Sequence, residues 1–128
     1  MHPLKVLYVD DDAVIRELAQ ISLELDAGFA VRTAASGAEA LACLNEFQPG
    51  VVLLDVMMPK MDGPEVLEVL RATPQYAATP VIFVTARAFP EERDRLLTLG
   101  ATGVITKPFD PMSFAKHVRS ILAAAVNA

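Results

Sequence analysis

The chain has 128 residues, 53% of them hydrophobic and 21% charged, with a formal net charge of −5, which fits one globular domain and excludes a disordered chain. The acidic balance argues against direct nucleic-acid binding, which needs clustered Lys and Arg, and the single Cys43 excludes an internal disulfide and fits a reducing compartment. The longest apolar stretch, Ile121 to Val126, falls far short of the ~20 residues of a membrane span, so a soluble cytoplasmic domain is expected, with no membrane contact.

In chain order, the first strand is KVLYV (5–9), and it runs into Asp10, Asp11 and Asp12. Two like charges ~4 Å apart repel by about 4 kcal/mol at an effective dielectric near 20. Three in a row therefore call for a cation, or for a helix start that needs an acid. Asp12, directly before Ala13, suits an N-cap. The first helix carries an apolar stripe, Val14, Leu18, Ile21 and Leu25, and Gly28 follows as a stop. FAVRTA (29–34) is the second strand, and SGAE (36–39) opens the second helix as a capping box, with Leu41 and Leu44 inward and Pro49 closing the loop after it. VVLLD (51–55) is the third strand, followed by a helix after Gly63-Pro64 with Val66, Leu67 and Leu70. VIFVT (81–85) is the fourth, with a helix from Pro90 and Gly100 after it; GVIT (103–106) is the fifth, with a last helix opening at Asp110-Pro111. Three of these strands are nearly continuous apolar runs, as parallel strands covered on both faces are. Five strand–helix units predict a parallel sheet with right-handed crossovers and no linker or repeat.

In open parallel sheets, sites form at the carboxyl ends of the strands. Those ends carry Asp10, Asp11 and Asp12, then Asp55, then Thr85, then Thr106-Lys107. Each residue alone has an ordinary structural explanation; together they predict three acids, a hydroxyl and an ammonium at one edge. Two or three carboxylates suit Mg²⁺, a hard cation that keeps waters and accepts phosphate oxygens. Asp55 can then act as nucleophile toward a phosphoryl group, with Lys107 on one phosphate oxygen, the cation on a second, and the Thr85 hydroxyl with the Ala86 N–H on a third.

The motifs VDDD (9–12), DVMMPKMDG (55–63), VTA (84–86) and KPF (107–109) stand in the order and at the spacing of one family. Through them the chain resembles a receiver domain of the two-component response regulators, over residues 4 to 125 of a single domain, 1–128. The resemblance implies a doubly wound, flavodoxin-like α/β fold with five parallel strands in the order 2-1-3-4-5 and five helices. It implies Asp55 as phosphoacceptor, Asp10 and Asp11 as the acid pair, and Mg²⁺ held by Asp11 and Asp55 with help from the Met57 carbonyl. It also implies a cis Lys107-Pro108 bond, a histidine kinase or phosphotransfer domain as phosphodonor, and a downstream protein partner at the face of the fourth and fifth helices. Family members that dimerise there use acids before the last strand; GATGV (100–104) has none, so a monomer is expected.

Two other readings compete. LYVDDDAV also fits the first motif of haloacid-dehalogenase-type phosphohydrolases, with Asp10 as nucleophile and Asp12 as acid/base, but this leaves DVMMPKMDG unexplained. A receiver serving only as a binding scaffold is the other, and it sits poorly with an intact set of site residues. A dinucleotide site is excluded, because no G-x-G-x-x-G follows the first strand.

Overall fold

The computed structural model describes residues 2–126. Its elements are β1 (Leu4–Val9), α1 (Ala13–Glu24), β2 (Phe29–Ala34), α2 (Gly37–Phe47), β3 (Val51–Asp55), α3 (Gly63–Ala72), β4 (Val81–Thr85), α4 (Pro90–Thr98), β5 (Gly103–Thr106) and α5 (Phe114–Val126), with one 3₁₀ turn at Pro74–Tyr76. All strands pair in parallel, in the order β2-β1-β3-β4-β5. This is the doubly wound, flavodoxin-like arrangement expected from the sequence.

Strand alternation divides the core in two. Val6, Tyr8, Leu53, Ile82 and Val84 point toward α1 and α5, where Ala19, Leu23, Phe114 and Val118 meet them. Leu7, Val9, Leu54 and Phe83 point the other way, against Leu44, Val66, Leu67 and Leu70 of α2 and α3 and Leu96 of α4. Both faces are covered, which is why the strands read as unbroken apolar runs.

The helix starts follow local chemistry. Asp12 caps α1, its carboxylate accepting from the Val14 and Ile15 N–H groups. Ser36 caps α2 through the Glu39 N–H, but the Glu39 carboxylate takes the Ala35 N–H, so only half of the expected capping box forms. The complete box lies at α3, where Asp62 and Glu65 bond reciprocally. Gly63 is required there, because a Cβ would collide with the Asp55 carbonyl oxygen and the Phe83 ring. Gly100, with φ at 113°, ends the α4 region in a conformation that L side chains rarely adopt.

Two expectations change. An apolar stripe at helical spacing ordinarily marks the buried side, yet Val14, Ile21 and Leu25 of the α1 stripe are 74%, 58% and 59% exposed. The buried side of α1 is Ala19, Ser22 and Leu23. Ala19 and Ser22 let the helix lie close to β1, β2 and α5 beside the fully buried Leu23, and Ser22 satisfies its hydroxyl on the Leu18 carbonyl, so only part of this face carries a hydropathy signal. The last helix also starts later than expected. The Asp110 carboxylate accepts from the Met112 N–H and its carbonyl from the Ser113 N–H, closing a separate turn before α5 begins at Phe114.

Candidate phosphoryl-transfer site

The first unit crosses from β1 to β2 on one side, and the chain then returns to β3 on the other. The crevice of an open sheet opens at such a switch point, outside the strand carboxyl ends. Asp10 follows β1, Asp55 is the last residue of β3, Thr85 the last of β4, and Lys107 follows β5. Carboxylate oxygens of Asp10, Asp11 and Asp55 lie within 4.8 Å of one another, a donor set of hard oxygens suited to a small divalent cation. Asp10 and Asp55 are buried and Asp11 is exposed.

Lys107 answers the repulsion. Its Nζ lies 2.8 Å from Asp10 Oδ2 and 3.2 Å from Asp55 Oδ1. The Lys107-Pro108 bond is cis, as expected, and the Lys107 N–H donates to the Thr85 carbonyl at 2.7 Å. Burial draws the Lys107 ammonium down, but the two carboxylates outweigh it and the net direction is up. Asp55 moves up to about 6, first through burial and then through the Asp10 charge, with Lys107 opposing.

Asp10 is fully enclosed and well bonded. Its Oδ1 accepts from the Asp12 N–H at 3.0 Å, and its Oδ2 accepts from the Tyr8 hydroxyl at 3.2 Å as well as from Lys107. The Arg16 guanidinium donates to its carbonyl at 2.9 Å. Neither Tyr8 nor Arg16 stood out from the sequence. Tyr8 had a usable signal, since residues two apart on a strand share a face and place a phenol beside Asp10. Burial, followed by Asp10, pushes the Tyr8 pKa upward.

Thr85 is buried, and its Oγ1 accepts from the Arg87 N–H at 3.0 Å, while Ala86 between them is exposed. A cleft of about 600 Å³ opens here, lined by Met57, Met58, Pro59, Thr85, Arg87 and Arg95. The Met57 side chain is 65% exposed at its edge, whereas Met58 is buried. Every residue expected at the site thus lies at this edge, and Asp12 serves as the α1 cap. Together the groups offer a nucleophilic carboxylate, an ammonium, a hydroxyl and a hard-cation donor set.

Comparison with known proteins is consistent with that chemistry. The family model described as "Response regulator receiver domain" matches residues 6–119. The transcriptional regulatory protein CpxR homolog of Haemophilus influenzae is 43% identical over 123 residues, covering 96% of this chain and 52% of that protein. The response regulator Rre1 of Synechocystis is 37% identical over 121 residues, covering 94% and 52%. The chain therefore spans about half the length of these curated relatives. Among solved structures, Vibrio cholerae chemotaxis protein CheY4 superposes with a TM-score of 0.85 at 39% identity, covering 93% of this chain and 98% of that one.

Proposed function

The chain belongs to the response regulator receiver domain family, the signalling module of two-component systems, and from that membership we propose that Asp55 takes a phosphoryl group from a histidine kinase or phosphotransfer domain and that this switches a protein-binding surface. The observation that carries the reading is the shared ammonium: Lys107 lies within 3.2 Å of Asp55 while it also holds Asp10. An Asp55 carboxylate oxygen bonds to phosphorus, the bond from phosphorus to the donor breaks, and the donor atom leaves with the electron pair. Positioning and charge neutralisation do most of the work in such a transfer. Lys107 meets one phosphoryl oxygen. The Thr85 hydroxyl, which accepts from Arg87 at rest, has its own proton free to donate to another, beside the Ala86 N–H. Asp10, Asp11, Asp55 and the Met57 carbonyl would hold Mg²⁺, which when bound supplies positive charge against the phosphoryl oxygens.

The signal would leave through the β4–α4 loop toward the α4–α5 face, where a downstream protein binds. Val104 of β5 is buried and stiff at its first torsion, so it cannot sweep a large volume; the exposed Phe89 in the loop is the better reporter. The domain acts on no substrate beyond its own phosphorylation and dephosphorylation, works in the cytoplasm as a monomer with its core in residues 4–125, and contacts neither nucleic acid nor membrane. Asp10 suits the role of phosphohydrolase nucleophile poorly, because it is fully buried with both carboxylate oxygens engaged.

Acetyl phosphate and Mg²⁺ should add one phosphoryl group to the wild-type protein, read by intact-mass spectrometry, and none to Asp55→Asn. An adduct on Asp10 that survives Asp55→Asn would overturn the reading in favour of the phosphohydrolase.

A further inference from the structure

Tyr8 is the largest fully buried polar side chain on the α1–α5 side of the sheet, and its hydroxyl touches the site. Its ring stands edge-on to Phe114, with centroids 6.2 Å apart at 86°. Phe114 in turn stacks on Phe109 at 4.0 Å, in the same short segment as Lys107. The ring is therefore fixed by packing, and the hydroxyl is fixed with it.

The bonding of Asp10 Oδ2 gives this placement a consequence. Two side chains donate to that oxygen, Tyr8 at 3.2 Å and Lys107 at 2.8 Å. Lys107 is shared with Asp55, and phosphoryl transfer requires it to turn toward an oxygen of the incoming group. As it turns, a carboxylate with no exposed surface loses its charged donor. A buried acceptor stripped of a partner is costly, and that cost would fall on the transition state.

We propose that Tyr8 is a positioning residue for phosphoryl transfer: its hydroxyl stays on Asp10 Oδ2 and strengthens that bond as Lys107 departs, so that the ammonium is released to the phosphoryl group. The inference rests on Asp55 being the phosphoacceptor. Acetyl phosphate provides the balanced reaction: the Asp55 oxygen–phosphorus bond forms, the phosphorus–oxygen bond to acetate breaks, and acetate leaves with the pair while Lys107 keeps its protons.

Tyr8→Phe removes the donor and keeps the ring. At saturating Mg²⁺, the maximal rate of phosphorylation by acetyl phosphate should fall about tenfold, with the acetyl phosphate concentration at half-maximal rate unchanged. In a Lys107→Ala background, where no ammonium has to leave, Tyr8→Phe should add no further slowing. In the wild-type protein, the Tyr8 Cζ carbon resonance should move when beryllofluoride is added to the Mg²⁺ form. An unchanged rate in Tyr8→Phe, an equal slowing in both backgrounds, or a Tyr8 resonance indifferent to beryllofluoride would each overturn the proposal. None of them touches the phosphoacceptor assignment, which stands or falls with Asp55→Asn.

Discussion

A carboxylate at the end of a buried strand is an expensive place for a charge, and Asp55 carries that expense in the absence of a cation. Its pKa moves up to about 6 through burial and the Asp10 charge, against 3.8 in the unfolded chain. The folded protein therefore binds more protons than the unfolded one between those values, and stability falls as pH rises across that window. Asp55→Asn should therefore raise the melting temperature of metal-free protein by several degrees near neutral pH and by little below about pH 4. Saturating Mg²⁺ should shrink the gain at neutral pH, since a cation bound by the folded acids stabilises the wild type by linkage. Calorimetry at two pH values, with and without Mg²⁺, measures all four; a lower melting temperature for Asp55→Asn at neutral pH without metal would contradict the account. The acids, Thr85 and Lys107 were legible in the sequence because each ends a strand and a parallel sheet brings strand ends to one edge. Tyr8 was hidden because a tyrosine within VLYV looks like any other β-forming residue until Asp10 is seen to be sealed from water.

Among the elements, α1 separates position from orientation. Its existence was legible from Asp12 and the periodic apolar letters, but the buried side was not. Two faces compete on this helix, one of Val14, Ile21 and Leu25 and one of Ala19, Ser22 and Leu23, and the second is the buried one: small Ala19 and Ser22 allow close approach to the sheet and α5, and Leu23 fills the core beside them. This has a measurable consequence. Leu23→Ala should cost about 2–5 kcal/mol, because it empties a fully enclosed site, whereas Ile21→Ala should stay within about 0.5 kcal/mol. Urea denaturation of both variants tests it, and equal losses would mean the stripe is buried after all. At α5, Asp110-Pro111 carried a genuine turn signal, but the Asp110 carboxylate closed its own turn through Met112 before the helix began.

The whole molecule is held across its far side by a link that also bears on assembly. Arg119 of α5 pairs with Asp26 after α1, donating from its second amino group at 3.1 Å, and lies 4.5 Å from the centre of the Phe29 ring. That pairing draws the Asp26 carboxyl down, chiefly through the Arg119 hydrogen bond. Arg119 is thus engaged within the chain, which leaves Lys116 and His117 as exposed basic side chains of that stretch of α5, and GATGV before and into β5 offers no acid to a second copy. Sedimentation should give a monomer both for the resting protein and after activation with beryllofluoride and Mg²⁺. A tight dimer formed through the α4–α5 face would refute the expectation.

From the sequence alone came the element order, the parallel sheet and the set of groups at its carboxyl edge. Strand hydrophobicity, cap residues and Gly-Pro punctuation are local signals, and a βαβ crossover has only one favoured hand. The division of labour at the edge was a tertiary matter. That Asp10 is sealed while Asp11 is exposed, that one ammonium is shared between Asp10 and Asp55, and that a phenol from the α1–α5 side supports the sealed acid depend on where β1, β3 and β5 come to lie relative to one another. Lys107 stands 97 residues from Asp10, a separation that local pattern cannot span. Only packing of both sheet faces sets the depth at which each carboxylate sits, and depth decides which acid is enclosed by protein donors and which faces solvent.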